Sequence, residues 1–452
     1  MSVSPLARGR SMAVAAVLAI VAAACSGGGT TDLTDGAADA GYSLAFDDGS
    51  PESLDEALDG DDEGDAESTR VDERSNDHLF RVLESLKAGG SQGPATSTTS
   101  TTTPADGSAG GAPSSGESSP ISGSTATTIG GGGGGDTAIY TGELGRLGRD
   151  QVVVAARAPA PTVAPGHLPL TGLPGDVPNR PAAVVKVDNG RPARPQTGLN
   201  SADIVVEEEV EGGVTRFAAV FHSTSTAVGP VRSSRTTDIG IINGFGSPLL
   251  LYSGANAVTD TLIRKQPTVQ NRSAATSSGY WRSSSRRAPS NLYSDTGSHW
   301  ASATGGPPPA QFSYRSDGDP VGGVEDGSLT VAYRASHAGW SWDGIQWLRT
   351  QGGAAHTTAS GSQISAANVV VVEAREVATG MVDSSGATVP EFVFVGEGKA
   401  TVFTAGKRIE GIWNRPTLAS AATLTTGDGS VIKLTPGRTW IELIRAGAGM
   451  LQ

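Results

Sequence analysis

PAAVVKVDNGRPARPQTGLNSADIVVEEEVEGGVTRFAAVFHSTSTAVGPVRSSR, residues 181–235, carries the strongest strand and hairpin signals in the chain and most of the charged groups able to form a site. After Pro181, residues 182–188 are an apolar, β-branched run, the pattern of a buried strand, and Asn189 and Gly190 end it as a turn. Residues 204–211 and 214–222 are two more strand-like runs, with Gly212 and Gly213 between them as a two-residue hairpin turn. That register sets Glu211 opposite Val214, Glu209 opposite Arg216 and Glu207 opposite Ala218. Because side chains alternate along a strand, Glu207, Glu209, Glu211 and Arg216 then share one face and Glu208 takes the other. Such a face is either a solvated ion-pair surface, worth roughly 0.2–1 kcal/mol per pair, or a carboxylate cluster around Arg216 in a pocket. Directly downstream, GPVRSSR (residues 229–235) offers Arg232, Ser233 and Arg235 on a turn. Planar guanidinium forks suit a carboxylate or phosphate, although the same groups on a free loop would only be solvated.

Working outward toward the C-terminus, residues 236–245 and 255–265 read as short helices and residues 248–252 as a buried strand. This alternation is that of a layered α/β domain, placed at 166–315. From 316 to 452 the chain is strand-rich. Strands are expected at 329–334, 339–342, 345–349, 368–374, 391–395, 400–403, 407–413, 431–434 and 439–444, separated by Gly and Asp-Gly turns, as in a smaller antiparallel sheet or partial barrel. The fold class expected is therefore α+β.

Toward the N-terminus the composition changes. Residues 1–165 hold 9 Lys+Arg against 23 Asp+Glu, and residues 166–452 hold 24 against 23, so the net charge of -13 belongs to the N-terminal part. The balanced remainder gives no reason to expect nucleic-acid binding. Arg8 and Arg10 precede an apolar run at residues 12–24, which is short for a membrane span and has the shape of a secretory leader, 1–24. The run ends in small residues before the one cysteine, Cys25. Cys25 is either the lipid-bearing first residue of a mature lipoprotein or incidental to an ordinary signal peptide. Residues 25–165 read as an acidic and Ser/Thr/Gly-rich disordered tether, with a marginal amphipathic helix over 67–87. Gly89 to Gly93 matches the G-x-S-x-G elbow, but a polar linker supplies neither the strand nor the helix that motif requires. No Walker-type loop or H-E-x-x-H occurs, and the six histidines are scattered, so no cofactor and no metal are expected.

The segments PLTGLP, VVKVDN, RPQTGLNSADIVVEE, EGGVTRF, GPVRSSR, RRAPSNLY, NVVVVEA, GKATVFTAGKRIEGIWNR and LTPGRTWIEL together resemble the YerB-like bacterial lipoproteins, built on domain of unknown function 3048. The resemblance covers roughly residues 168–444 and leaves the tether outside. It implies an envelope lipoprotein, anchored to the membrane through lipid on Cys25, without implying a chemistry. Its polar signature falls on Asp188, Asn189, Arg194, Gln196, Asp203, Glu207, Glu211, Arg216, Arg232, Ser233, Arg235, Asn291 and His356. Glu208, Glu209 and Ser290 depart from the family pattern.

Two functions follow from these residues. One is an anchored protein that binds an anionic envelope polymer or a partner protein through Arg216, Arg232, Ser233, Arg235 and Asn291. The other is an envelope hydrolase or transferase using Asp188 with Glu207 or Glu211 as an acid/base pair, with His356 contributed by the second domain. Converging carboxylates in a cleft would favour the second, and an arginine-rich groove the first.

Overall fold

In the computed structural model of the 452-residue chain, residues 127–128, 139–383 and 386–451 are described. The leader, Cys25, the acidic run and the helix expected over 67–87 lie outside the described residues. No helix among the described residues is long and apolar enough to cross a membrane.

The run of β-branched residues at the opening stretch forms β1 (Ala183–Asp188), followed by β2 (Ile204–Glu209) and β3 (Thr215–Phe221). β3 lies between the other two and is antiparallel to both. Then come α1 (Thr237–Ile242), β4 (Leu249–Tyr252), α2 (Ala257–Arg264) and β5 (Gln270–Ser273), with β4 parallel to β1 and β5 parallel to β4. α2 starts where the Asn256 side chain accepts the Thr259 N–H at 2.8 Å, satisfying a donor the helix start leaves free.

Farther along, β6 (Ser328–Tyr333), β7 (Ser336–Trp342) and β8 (Trp347–Gln351) form an antiparallel meander. The remaining long strands are β9 (Asn368–Val382), β10 (Thr388–Val393), β11 (Gly396–Thr404), β12 (Lys407–Arg415) and β13 (Thr439–Arg445). Residues 431–434, expected as a strand, form only isolated bridges at Val431 and Leu434. Strands dominate, and the α-helices are short. The layered α/β reading of the first half reduces to α1 and α2 on one face of a sheet and the five-residue helix Thr296–Trp300, whose Trp300 packs with the core on the other face.

The stretches expected as two domains meet strand to strand. β13 inserts between β9 and β2 and is parallel to both, with Asn368, Thr439 and Ile204 in line. One sheet consequently runs β12-β11-β9-β13-β2-β3-β1-β4-β5, in place of a purely antiparallel C-terminal sheet. Its side chains alternate between two cores. Val184, Val206, Ala218 and Val220 pack with Ile239, Ile242 and Leu262 of the helices. Val185, Val187, Phe217 and Ala219 pack with Val331, Trp340 and Trp347 of the meander.

The hairpin register differs from the expectation by one residue. Val210 donates its N–H to Val214 O, and Glu211–Gly213 forms a 3-10 turn with Gly212 and Gly213 at φ +69° and +73°. This longer loop pairs Glu208 with Arg216 and Glu209 with Thr215. A one-residue slip exchanges faces, so Glu208 shares the face of Arg216, whereas Glu207 and Glu209 lie on the other.

The segment from Ile139 onward, assigned by composition to the tether, is seated on this body. Tyr140 and Leu144 are core residues, and the buried Glu391 carboxylate accepts Tyr140 Oη–H at 2.6 Å and the N–H groups of Glu143 and Leu144 at 2.6 and 3.0 Å.

Candidate functional site

β1, β2, β4, β5, β9 and β13 all run in one direction, because β3 is antiparallel to both its neighbours and the other pairings are parallel. Their carboxyl ends therefore lie along one edge of the sheet, the edge at which ligands gather in sheets with parallel strands. Asp188 ends β1, and Arg216, near the start of the reversed strand β3, sits opposite it.

Three arginines gather there. Arg216 is 7% exposed; its Nη1 donates to Ser233 O at 2.8 Å, and its buried Nε has no hydrogen-bond partner in the protein. Arg232 Nε lies 3.3 Å from Asp188 Oδ2, which also accepts the Ser290 hydroxyl at 3.3 Å. Arg235 forks onto Glu211, with Nη2 donating to Oε2 at 2.8 Å and Nε to Oε1. Burial, and then the like charges of Arg235 and Arg232, push the Arg216 guanidinium down to about 10. Glu211 and Asp188 oppose this shift without overcoming it.

Beneath Arg216 lies a buried ionic tier. Lys186, fully enclosed, reaches Glu208 Oε1 at 2.5 Å and Asp238 Oδ1 at 2.8 Å. Burial alone would lower the lysine, but Asp238 and Glu208 outweigh it and hold it charged. Burial drives the Glu208 carboxyl upward against the pull of Lys186. Sequence reasoning passed over Lys186 and Asp238 and set Glu208 aside as a departure from the family pattern. The signal was a lone lysine inside an apolar strand, since a charge enclosed there requires partners.

The opposite face of the sheet holds a separate polar network. Arg349 Nη2 donates to Glu207 Oε2 at 2.6 Å, and its Nη1 donates to His356 Nδ1. His356 Nε2 then donates to Gln196 Oε1 at 2.8 Å, and Gln196 Nε2 donates to the carbonyl of Asp188 at 2.9 Å. Arginine has only donors, which assigns the imidazole proton to Nε2. Burial, then Arg349 and Arg194, push His356 down to about 2, so it is a neutral structural imidazole. Thr215 donates its hydroxyl to Glu207 Oε1 at 2.7 Å. Glu442, next to this pair, accepts Tyr333 Oη–H at 2.5 Å and Trp340 Nε1–H at 2.7 Å.

The expected acid/base groups are thus dispersed. Asp188 reaches the arginine site, Glu211 is engaged by Arg235, and Glu207 and His356 are enclosed on the far face. The shared face of Glu207, Glu211 and Arg216 does not form. Ser233 contributes its carbonyl to Arg216, and its hydroxyl lies 3.5 Å from that of Ser253. Asn291 accepts Arg282 Nη1 at 2.6 Å through its side-chain oxygen. Among the described residues no group of three or more His, Cys, Asp or Glu side chains is placed to hold a metal ion.

Comparison with known proteins agrees with this architecture. The N-terminal domain profile of the family described as "Protein of unknown function (DUF3048)" matches residues 170–306, and the C-terminal domain profile matches residues 329–441. The Bacillus subtilis protein named "Putative lipoprotein YerB" is 29% identical over 301 residues, covering 61% of this chain and 85% of that protein. The crystal structure of YerB from Bacillus subtilis superposes with a TM-score of 0.53 at 24% identity, covering 63% of this chain and 99% of that one, a likeness of fold. The two profiles together span more than half of the chain and reproduce the resemblance carried by its motifs, and the chain belongs to the DUF3048 family, with both of that family's domains.

Proposed function

We propose that this protein is an envelope lipoprotein, held at the membrane by lipid on Cys25, that binds an anionic envelope component through Arg216, Arg232 and Arg235. The observation that carries the reading is Arg216, a nearly buried cation with an unpartnered Nε and two further arginines beside it. An oxyanion docked there would accept from donors already fixed in place and relieve the mutual repulsion of the three guanidinium groups. Binding is preferred to hydrolysis because Asp188, Glu207 and Glu211 do not converge as an acid/base pair. The anchor is supported by the apolar run before Cys25 and by the name of the Bacillus relative.

The test is thermal stabilisation of the full-length protein by anionic envelope polymers and by pyrophosphate. Arg232→Ala is expected to weaken binding about tenfold, equivalent to roughly 1.4 kcal/mol. No stabilisation of the wild type, or the same stabilisation in the variant, defeats the reading. For the anchor, Cys25→Ser is expected to move the protein out of the membrane fraction, and its retention there refutes lipidation at that residue.

A further inference from the structure

Farther along the same sheet edge, past the turn between β2 and β3, an open cleft of 760 Å³ lies against the carboxyl ends of β13 and β2 and the β9–β10 hairpin. Its volume is in the range of sites that take small molecules or a length of polymer, about 300–1,000 Å³. Three of its walls carry arginines, Arg334, Arg375 and Arg445, and Glu376 is the one carboxylate lining it. Two of these arginines are held in place. Arg334 donates to Glu209 and, at 2.5 Å, to Glu376; Arg375 forks onto Glu143 at 2.5 and 2.6 Å. Arg445, the last residue of β13, is exposed and has no side-chain partner among the described residues. Gly212, which also lines the cleft, faces open space, and a Cβ on it would meet nothing within 4 Å.

We infer that this cleft is a second ligand site, separate from the Arg216 cluster, which takes an oxyanion-bearing solute or chain segment with its phosphate or carboxylate on Arg445. Arg334 and Arg375, already held by carboxylates, lose little freedom when a ligand contacts them, while Arg445 has no carboxylate of its own to release, and planar forks match both oxyanions. Val377 and Pro390 give the rest of the ligand an apolar wall. Glu143 competes with the ligand for Arg375, because it already occupies both terminal nitrogens of that side chain. The two sites lie on either side of one turn, whose Glu211 pairs with Arg235 and whose Gly212 lines the cleft. A polyanion with repeated charges can therefore engage both.

The experiment is titration calorimetry of the full-length protein at low ionic strength with pyrophosphate and, separately, citrate. It is done in an Arg232→Ala background, so that failure of the Arg216 site does not decide the outcome. One of the probes is expected to bind with one-to-one stoichiometry, identifying phosphate or carboxylate as the preferred oxyanion. Adding Arg445→Glu is expected to weaken that probe at least tenfold, and adding Glu143→Gln, which frees Arg375, to strengthen it about threefold. Arg445 is exposed and Glu143 anchors through its backbone N–H, so neither change removes a core contact. Binding of neither probe, or an affinity indifferent to Arg445→Glu, overturns the site. Weaker binding after Glu143→Gln overturns the part assigned to Arg375.

Discussion

Glu207 and Arg349 meet at 2.6 Å where neither side chain has any exposure to water, so removing one strands the other as an uncompensated buried charge. Arg349→Leu is expected to cost about 3–5 kcal/mol in denaturant unfolding, and adding Glu207→Leu to recover part of that loss, because the stranded charge is then gone, while the Thr215 hydroxyl and His356 Nδ1, which lose a partner, keep the recovery incomplete. A double variant no more stable than the single one would contradict this account. His356 makes a pH dependence testable. Its folded-state value is depressed to about 2 against an ordinary value near 6.5, so its contribution is complete above pH 6.5 and is lost as pH falls below it. The difference in unfolding free energy between wild type and His356→Gln is expected to shrink below pH 6.5 by up to about 1.4 kcal/mol per pH unit. Taking the difference cancels Glu208 and Glu442, whose upward shifts act in the opposite direction. At this scale the sequence was partly legible. Glu207 was singled out by its place in the hairpin and His356 by the family resemblance, but whether a polar residue serves a cleft or a core depends on what covers it. Here the cover is Arg349 and Gln351, more than 140 positions beyond Glu207 and more than 130 beyond Thr215.

The turn between β2 and β3 shows how one element sets the chemistry of two faces. With Gly212 and Gly213 both in the left-handed region, the loop runs from Val210 to Val214 and brings Glu208, instead of Glu209, opposite Arg216. The strands themselves were plain from β-branched runs and a glycine pair. Their register was not, because a two-residue turn and this longer loop draw on the same residues and differ only in backbone geometry. The two glycines separate two kinds of cost. A Cβ on Gly212 meets open space, so Gly212→Ala is expected to cost only the left-handed backbone penalty, about 1 kcal/mol. A Cβ on Gly213 would come within 2.6 Å of Arg334 Cβ and 2.9 Å of Ala335 N. Gly213→Ala is therefore expected to cost clearly more, about 2–4 kcal/mol, since backbone must move as well. Equal unfolding midpoints for the two variants would mean that the meander does not press on the turn.

For the whole molecule, the decisive pairing joins β13 to β2, residues more than 230 positions apart, and no local pattern announces it. The composition of residues 25–165 misled in the same way: Gly and Ser dominate the tract, yet Tyr140 and Leu144 near its end lie in the core with Ile239 and Leu262. Glu391 holds this strap by accepting three donors from it, and it would be left enclosed and unpaired if the strap were removed. The folded body therefore includes the chain from Ile139 onward, well before residue 165. From the described residues, deleting residues 1–138 removes only the two-residue pairing of Thr127–Thr128 with Ile139–Tyr140, and it is expected to change the thermal midpoint of the body little. Deleting residues 1–157 removes Leu144, worth about 2–5 kcal/mol on its own, and strands a carboxylate at a further cost of about 1–3 kcal/mol. The longer deletion should thus melt several degrees lower, and Leu144→Ala in the full-length chain should reproduce much of the drop. If both deletions melt together, the strap is no part of the core, and the Arg375–Glu143 contact loses its basis along with it.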